Sequence, residues 1–255
     1  MFEILKTRLQ QKYRTLSYPD GPAPSLPDRF AGRPEMTADA CEDGCRRCVD
    51  ACPVAAVSVN AESHGPLIDT GRCLFCRACE KACPRSVIEF GRDHRLAASR
   101  RRDLVLGTGS SEGAPAADHA ASRPFGRSLK LRQVSAGGCN ACEADCNVLN
   151  TLAWDIGRFG IQFVASPRHA DGLLITGPVT ANMRFALEKT YESVPDPKIV
   201  IAVGACAVSG GPYLDLSGVC NGADKVVPVD LYVPGCPPHP LTILDGLLRF
   251  LGIPG

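Results

Sequence analysis

Apolar residues beyond position 128 fall into four short runs that are rich in β-branched side chains. The runs are IQFVA (161–165), GLLIT (172–176), KIVIAVG (198–204) and KVVPVDLYV (225–233). Runs of this length and composition predict β-strands.

Two helical patterns lie among these predicted strands. Between the second and third runs, Met183, Leu187 and Tyr191 recur at four-residue steps. After the last run, PLTILDGLLRFLG begins with Pro240 and places its leucines on one helical face. Strands that alternate with helices predict an α/β domain whose sheet is mostly parallel, with helices on both faces.

The N-terminal pattern is different. Apolar residues at three- and four-residue steps predict an amphipathic helix over residues 2–16, with a basic opposite face. This helix either packs on its own protein or lies on an acidic membrane surface or a membrane subunit. Residues 17–35 are rich in Pro and Gly and predict an extended arm.

Residues 93–127 are charged and then rich in Gly, Ala and Ser, which predicts a linker. The glycines of GTGSSEG, at positions 107, 109 and 113, have neither a following Lys-Ser/Thr nor a GxGxxG pattern, so a phosphate loop is not predicted. The arginine triplet at positions 100–102 is interpreted as solvated, with contact to lipid headgroups or a partner as the alternative.

Composition sets broad limits on function. The formal net charge of the 255 residues is +1, so no nucleic acid or other polyanionic partner is expected. No apolar run is long enough for a membrane span, and the N-terminus does not resemble a secretory signal, so we expect a cytoplasmic protein. In a reducing compartment, the 14 cysteines indicate metal ligation rather than disulfides.

The most specific cysteine pattern is CLFCRACEKACP, which has the form C-x2-C-x2-C-x3-C-P. It contains Cys73, Cys76, Cys79 and Cys83, and it is typical of a bacterial-type [4Fe–4S] ferredoxin. A zinc site usually uses two CxxC pairs separated by a longer loop, so the tight run favours a cluster.

CEDGCRRCVDACP repeats this form upstream with one residue more in the first gap. Its cysteines are Cys41, Cys45, Cys48 and Cys52, and Gly44 is expected to absorb the extra residue in a bulged turn. In two-cluster ferredoxins the fourth cysteine of each run ligates the other cluster. Cluster 1 is therefore assigned to Cys41, Cys45, Cys48 and Cys83, and cluster 2 to Cys52, Cys73, Cys76 and Cys79.

A third constellation lies in the α/β part. Cys139 and Cys142 form a CxxC, while Cys206 and Cys236 each follow a predicted strand and are flanked by glycine. Sites in open α/β sheets form at the carboxyl ends of strands, so these four thiolates are expected to converge on a third [4Fe–4S] cluster.

The other reactive side chains form no recognisable site. Cys146 and Cys220 are interpreted as small buried hydrophobic residues, and His239 as structural. No Ser-His-Asp or paired-carboxylate arrangement is present, so no catalytic residue is assigned. No nucleotide or flavin site is expected either.

Over nearly its whole length the chain resembles subunits of two related kinds of complex. GCNACEAD, RFGIQFVASPRHADGLLITGPV, PKIVIAVGACAVSGG and DKVVPVDLYVPGCPP resemble the small cluster-bearing subunit shared by respiratory complex I and membrane-bound [NiFe] hydrogenases. The basic helix, the YP and FAGRPE stretches and the two cysteine runs resemble the two-cluster ferredoxin subunit of the same complexes. The chain therefore looks like a fusion of the two.

The resemblance implies a small α+β ferredoxin domain followed by a flavodoxin-like parallel-sheet domain. The expected divisions are a helix and arm at 1–35, a two-cluster domain at 36–92, a linker at 93–127 and the [4Fe–4S]-binding domain at 128–255. The family's ligands fall on Cys139, Cys142, Cys206 and Cys236.

One detail separates the relatives. Complex I subunits carry adjacent cysteines where this chain has Cys139-Asn140-Ala141-Cys142, and the CxxC form resembles the formate hydrogenlyase-type group 4 hydrogenases. The family's acid three residues after the second cysteine is usually Glu, whereas this chain has the shorter Asp145.

The resemblance implies an electron-transfer subunit whose catalytic centre lies in a large hydrogenase-type or complex I 49 kDa-type partner. The implied setting is the cytoplasmic face of the inner membrane, with membrane subunits and a formate dehydrogenase or other electron donor. Two alternatives stay open. One is a complex I-like subunit that passes electrons to quinone, and the other is a redox sensor or scaffold without turnover.

Overall fold

Five parallel strands form the sheet that the apolar runs beyond residue 128 predict, in the order β10-β9-β8-β6-β7. The computed structural model describes residues 2–37, 41–42, 44–60, 65–108, 123–126 and 128–253. Its strands are β1 (Pro34–Met36), β2 (Val57–Val59), β3 (Pro66–Asp69), β4 (Ile88–Phe90), β5 (Val105–Gly107), β6 (Leu129–Ser135), β7 (Ile161–Phe163), β8 (Gly172–Thr176), β9 (Ile199–Val203) and β10 (Leu231–Val233). Its α-helices are α1 (Phe2–Gln11), α2 (Arg47–Asp50), α3 (Ala78–Ala82), α4 (Ala141–Val148), α5 (Ala181–Ser193), α6 (Ala205–Ser209) and α7 (Pro240–Phe250).

The parallel sheet is covered on both faces. One core joins side chains of the sheet to α7 and to Cys146 and Leu149 at the end of α4. The other joins the opposite side chains of the sheet to Leu187 of α5 and Val208 of α6. Because β8 and β9 are buried at every position, they consist of continuous apolar runs rather than alternating ones. The predicted α/β fold is confirmed.

Strand β6, which pairs with both β7 and β8, was not predicted from the sequence. Its sequence LKLRQVS alternates apolar and polar residues, with Leu129, Leu131 and Val134 buried. The last strand was predicted too long. Ala223–Lys225 forms a 3₁₀ turn, and only Leu231–Val233 pairs with β9.

The ferredoxin-like part contains two small antiparallel sheets, β1-β4 and β2-β3-β5. Strand β5 falls within the predicted linker, where it pairs with β3 and buries Leu106. The arginine triplet at positions 100–102, which was predicted to be solvated, is partly bonded within the protein. Arg101 donates two hydrogen bonds to Asp69 at 2.8 and 2.7 Å. Residues 109–122 and 127 of the predicted linker lie outside the described residues.

Several contacts hold the ferredoxin-like part against the parallel sheet domain. Ala98 forms an antiparallel bridge with Tyr232 of the edge strand β10. The Ser209 hydroxyl, in α6, donates to the carbonyl of Gly71 at 3.1 Å. These contacts fix the second cysteine run relative to the carboxyl ends of the sheet strands.

Helix α1 has no buried residue, and it ends at Gln11 rather than at residue 16 as predicted. Phe2, Leu5 and Leu9 are 89%, 57% and 79% exposed, so the apolar face does not pack on the rest of the chain. None of the helices in the described part of the chain combines the length and apolar character needed to cross a membrane.

Candidate metal centres

The first group of thiols, site 1, draws on both cysteine runs. Burial raises the pKa of the Cys41 thiol, and negative charge on Cys45 and Cys83 raises it further. Burial likewise raises the pKa of Cys48, and charge on Cys41 and Cys83 adds to the effect. Cys83, the last cysteine of the second run, thus lies within electrostatic range of Cys41 and Cys48 of the first run.

The long first gap contains a backbone conformation that favours glycine. Gly44 has φ +77°, and a Cβ at this position would meet no atom within 4 Å. The amide of Cys45 donates to the carbonyl of Glu42 at 3.0 Å. Gly44 is thus suited to take up the additional residue, as the sequence predicts.

The second group of thiols, site 2, contains Cys52, Cys73, Cys76 and Cys79. Burial raises the pKa of Cys73 to about 12, with charge on Cys79, Cys52 and Cys76 as further causes. Burial raises the pKa of Cys79 to about 11, and charge on Cys52 and Cys76 again contributes. Cys52 of the first run thus lies within electrostatic range of Cys73 and Cys79 of the second.

Backbone amides donate hydrogen bonds to the sulfur atoms of both groups. The distances are 3.1 Å from Ala56 N to Cys52 Sγ, 3.2 Å from Phe75 N to Cys73 Sγ, and 3.3 Å from Val87 N to Cys83 Sγ. Such donors stabilise negative charge on thiolate sulfur and tune the potential of Fe–S clusters. The donor set therefore fits a cubane at each site.

Within the described part of the chain, no three His, Cys, Asp or Glu side chains are gathered closely enough to hold one metal ion. A cubane places different demands on its ligands. Each of its four thiolates binds a different iron atom, so the sulfur atoms surround the cluster rather than converge on one point.

The third group, site 3, lies at the carboxyl ends of three strands of the parallel sheet. Cys139 and Cys142 follow β6, Cys206 follows β9 and Cys236 follows β10. Burial raises the pKa of Cys206 to about 12, with charge on Cys236 and Cys139 as the next causes. Burial also raises the pKa of Cys142, as does charge on Cys206. Among the four predicted thiols, Cys206 thus lies within electrostatic range of the other three.

Glycines leave room for the site 3 thiols. Gly204 has φ +91°, and a Cβ there would lie 2.5 Å from Cys142 Sγ. A Cβ at Gly211, whose φ is +54°, would lie 3.0 Å from Cys206 Sγ. Both the conformation and the lack of a side chain are needed for this close approach, which fits a bulky group bound by the thiols.

Sequence reasoning missed one acidic residue of site 3. Glu143, directly after Cys142, is buried, and its Oε1 accepts hydrogen bonds from Ser135 Oγ at 2.6 Å and Thr176 Oγ1 at 2.7 Å. In the sequence, only the position of Glu143 beside a cysteine indicates that it belongs to the site. The hydroxyl partners come from β6 and β8 and become neighbours only in the folded sheet.

A cavity of 330 Å³ lies beside site 3. Leu74 and Phe75 of the second cysteine run line it together with Cys236. Asp145, whose pKa is raised by burial, also lines it. Residues of the second cysteine run and of site 3 thus border the same cavity.

The remaining candidates have structural surroundings. Cys146 is fully buried in a core of aliphatic side chains, and this burial raises its pKa to about 12. Cys220 packs against the other core. His239 caps α7, where its Nδ1 accepts from the Leu241 amide at 3.1 Å.

Comparison with protein families divides the chain as its cysteine patterns do. Residues 40–88 match the family described as "4Fe-4S dicluster domain". Residues 139–250 match the family described as "NADH ubiquinone oxidoreductase, 20 Kd subunit". Site 3 lies in the second match.

Three curated relatives match about half of this chain. Formate hydrogenlyase subunit 7 of Escherichia coli is 50% identical over 127 residues, which are 50% of this chain and 50% of that protein. A probable membrane-bound hydrogenase subunit of Pyrococcus furiosus is 45% identical over 50% of this chain and 76% of its own length. An NADH-quinone oxidoreductase subunit of Heliobacterium modesticaldum is 45% identical over 44% of this chain and 65% of its own length. The match thus spans only half of the first relative. The resemblance found in the sequence is confirmed, and the chain belongs to the family of the NADH ubiquinone oxidoreductase 20 kDa subunit.

Proposed function

We propose that this chain is an iron–sulfur electron-transfer subunit of a membrane-associated hydrogenase complex of the formate hydrogenlyase type. The observation that supports the proposal most is that Cys83 acts electrostatically on Cys41, Cys52 acts on Cys79, and Cys139 and Cys236 act on Cys206, which favours three sets of four cysteines, two in the dicluster part and one at the sheet edge. Each set holds one [4Fe–4S] cluster. When bound, the clusters supply one-electron redox chemistry, and the chain supplies thiolates, amide donors and spacing.

The surroundings of the sites support an order along the chain. Leu74 and Phe75, from the run that supplies site 2, share a cavity with Cys236 of site 3. We therefore place site 2 between site 1 and site 3. Because site 1 and site 2 exchange their fourth cysteines, their spacing is set by the ferredoxin fold itself.

The catalytic centre belongs to a large partner subunit. Cys139 and Cys236 are exposed, so site 3 is open at the carboxyl edge of the sheet. A partner that covers this edge would bring its own centre close to site 3. The CxxC spacing at Cys139 favours a hydrogenase-type partner, as does the 50% identity to the formate hydrogenlyase subunit.

A complex I-like quinone reductase is the second candidate. The observation in its favour is the 45% identity to the NADH-quinone oxidoreductase subunit of Heliobacterium modesticaldum over 113 residues. In that case the partner resembles the complex I 49 kDa subunit and site 3 passes electrons to quinone. The CxxC in place of adjacent cysteines argues against it.

We also propose that the chain lies on the cytoplasmic face of the inner membrane beside membrane subunits, with a formate dehydrogenase or another protein as electron donor. Helix α1 supports this placement, because its apolar side chains are exposed and Lys6 and Arg8 lie among them. Such a helix suits the boundary between water and an acidic surface.

Metal analysis tests the proposal directly. Anaerobically purified protein should contain about twelve iron and twelve sulfide per chain if three cubanes are present. A value near eight would remove one site. Purification of the chain in complex with its large partner subunit should then bring nickel with it, whereas a nickel-free complex that reduces quinone would favour the second candidate.

A further inference from the structure

Glu143 is an acidic side chain buried without a basic partner. It is 6% exposed, and among the described residues no Lys, Arg or His nitrogen lies within ion-pair distance of its carboxylate. Two hydroxyls take the place of a cation, because Ser135 Oγ and Thr176 Oγ1 both donate to Oε1. Burial of a carboxylate destabilises a protein unless hydrogen bonds of this kind replace those to water.

The surroundings keep this side chain ionised. Its Oε1 accepts hydroxyl hydrogen bonds of 2.6 and 2.7 Å, the length range of O–H···O⁻ bonds to an ionised carboxylate. The position in the first turn of α4 also favours an anion. Site 3 therefore has a permanent negative charge beside it.

The carboxylate connects the segments that carry the site 3 thiols. Glu143 follows Cys142 in α4, and its two partners are the last residues of β6 and β8. A Cβ at Gly138, the residue before Cys139, would lie 3.2 Å from Oε1. The side chain thus lies against the loop of one ligand and next to another.

The carboxylate is buried close to the ligand segments of site 3. Glu143 directly follows Cys142 in α4 and lies against the loop that carries Cys139, where little water screens its charge. Its charge therefore disfavours the additional electron of a reduced cluster bound at site 3.

We propose that Glu143 is a positioning residue for site 3, and that its buried charge lowers the reduction potential of the [4Fe–4S] cluster held there. This inference rests on the proposed function. Through its two hydroxyl partners the carboxylate fixes the start of α4 against the sheet, and through its charge it makes the reduced cluster a stronger electron donor. Arrangement and potential are thus set by one side chain.

EPR-monitored redox titration of the holoprotein tests both parts. A Cys206→Ser variant first identifies the signal of site 3. Glu143→Gln keeps the size and one acceptor oxygen but removes the charge, so the site 3 midpoint should shift upward while the two ferredoxin signals stay in place. The matched control is Glu192→Gln, an exposed carboxylate on α5 paired only with Lys189, which should shift none of them.

The Glu143→Ala variant should lose the site 3 signal and about a third of the iron, because the substitution removes both the hydrogen bonds from Ser135 and Thr176 and the charge. Full iron and an intact site 3 signal in this variant would overturn the positioning role. A site 3 midpoint that stays unchanged or falls in Glu143→Gln would overturn the electrostatic role.

If the Glu143→Gln variant fails to hold the site 3 cluster, the Glu143→Asp variant tests the role of the charge instead, because it retains the charge on a shorter side chain. Return of the signal at a midpoint close to that of the unmodified protein supports the proposal. Absence of the signal, or its return at a raised midpoint, contradicts it. A protein that lacks the third cluster before any substitution refutes the proposed function instead.

Discussion

The hydroxyl of Tyr18 donates a hydrogen bond to Oδ1 of Asp245 at 2.9 Å, joining the N-terminal arm to α7 across 227 positions of sequence. Both side chains are buried. Arg249 Nε donates to the other carboxylate oxygen at 2.8 Å, and His94 Nε2 lies 3.3 Å from the Tyr18 hydroxyl. This polar network links the arm, the segment after the second cysteine run and the last helix.

Removal of the Tyr18 hydroxyl should destabilise the protein. In Tyr18→Phe, Asp245 loses a donor while it stays buried, which costs about 1–3 kcal/mol. For a domain of this size, the unfolding temperature should fall by roughly 2–4 °C for each kcal/mol of stability lost. Tyr13→Phe, at an 87% exposed position, is the control and should leave the unfolding temperature unchanged. Equal unfolding temperatures for Tyr18→Phe and the native protein would contradict a stabilising role for the network.

The same network predicts a dependence of stability on pH. Burial lowers the pKa of His94, with Arg95 and Arg249 also lowering it, while Asp245 and Asp93 act in the opposite direction. Below the ordinary His pKa of about 6.5, the unfolded chain therefore binds a proton that the folded chain does not. The contribution of His94 to the free energy of unfolding should therefore be complete above about pH 6.5 and should decline as the pH falls below that value.

Comparison of variants isolates the contribution of His94. Unfolding measured between about pH 5.5 and 7.5 should show a smaller loss at low pH in His94→Gln than in the native protein. His239 is half-buried, and this burial lowers its pKa, so part of the dependence should persist. The exposed His169, changed to Gln, should leave the slope as it is. An unaltered slope in His94→Gln would mean that this residue does not carry the effect.

The sequence predicts the parts of this protein that depend on local patterns. Cysteine spacing predicts the first three thiols of site 1 and of site 2, because the loops between them are short. The strands β8 and β9 are evident because both of their faces are buried. In contrast, β6 was missed because Lys130, Arg132 and Gln133 interrupt its apolar residues, although it lies inside the sheet.

Contacts between distant segments could not be predicted in this way. The partners of Glu143 lie at the ends of two strands, and Asp245 meets Tyr18 only when the arm wraps onto α7. Neither pair has a characteristic spacing along the chain. Such polar contacts follow from the tertiary arrangement, whereas ligand spacing and buried strands follow from local sequence.

Gly204 provides a selective test of site 3. Gly204→Ala would place a Cβ 2.5 Å from Cys142 Sγ at a residue with φ +91°, so the thiol must be displaced. Iron should fall from about twelve to about eight atoms per chain, with loss of one EPR signal. Gly218→Ala is the matched control, because its Cβ would meet nothing within 4 Å. Full iron in Gly204→Ala would show that this close approach is not required.

Crossed ligation makes a prediction about pairs of substitutions. If Cys83 serves site 1 and Cys52 serves site 2, then Cys83→Ser and Cys41→Ser should alter the same EPR signal. Cys52→Ser and Cys76→Ser should alter the other one. Uncrossed ligation gives the opposite pairing, with Cys83→Ser matching Cys76→Ser, so spectra of the four variants distinguish the two arrangements. An unchanged spectrum for Cys41→Ser would remove it from site 1.

Helix α1 should bind acidic lipid surfaces through its exposed apolar face. Phe2, Leu5 and Leu9 are exposed on this helix, and each nearby cation adds about 1 kcal/mol of attraction to an anionic membrane. The protein should therefore sediment with vesicles of phosphatidylcholine and phosphatidylglycerol. This binding should weaken as the salt concentration is raised. The double variant Leu5→Glu/Leu9→Glu should lose this binding while keeping its iron. Leu216→Glu, which places the same charge at a 57% exposed leucine elsewhere, should bind as the native chain does. Binding to vesicles only after membrane subunits are added would instead assign the helix to a protein partner.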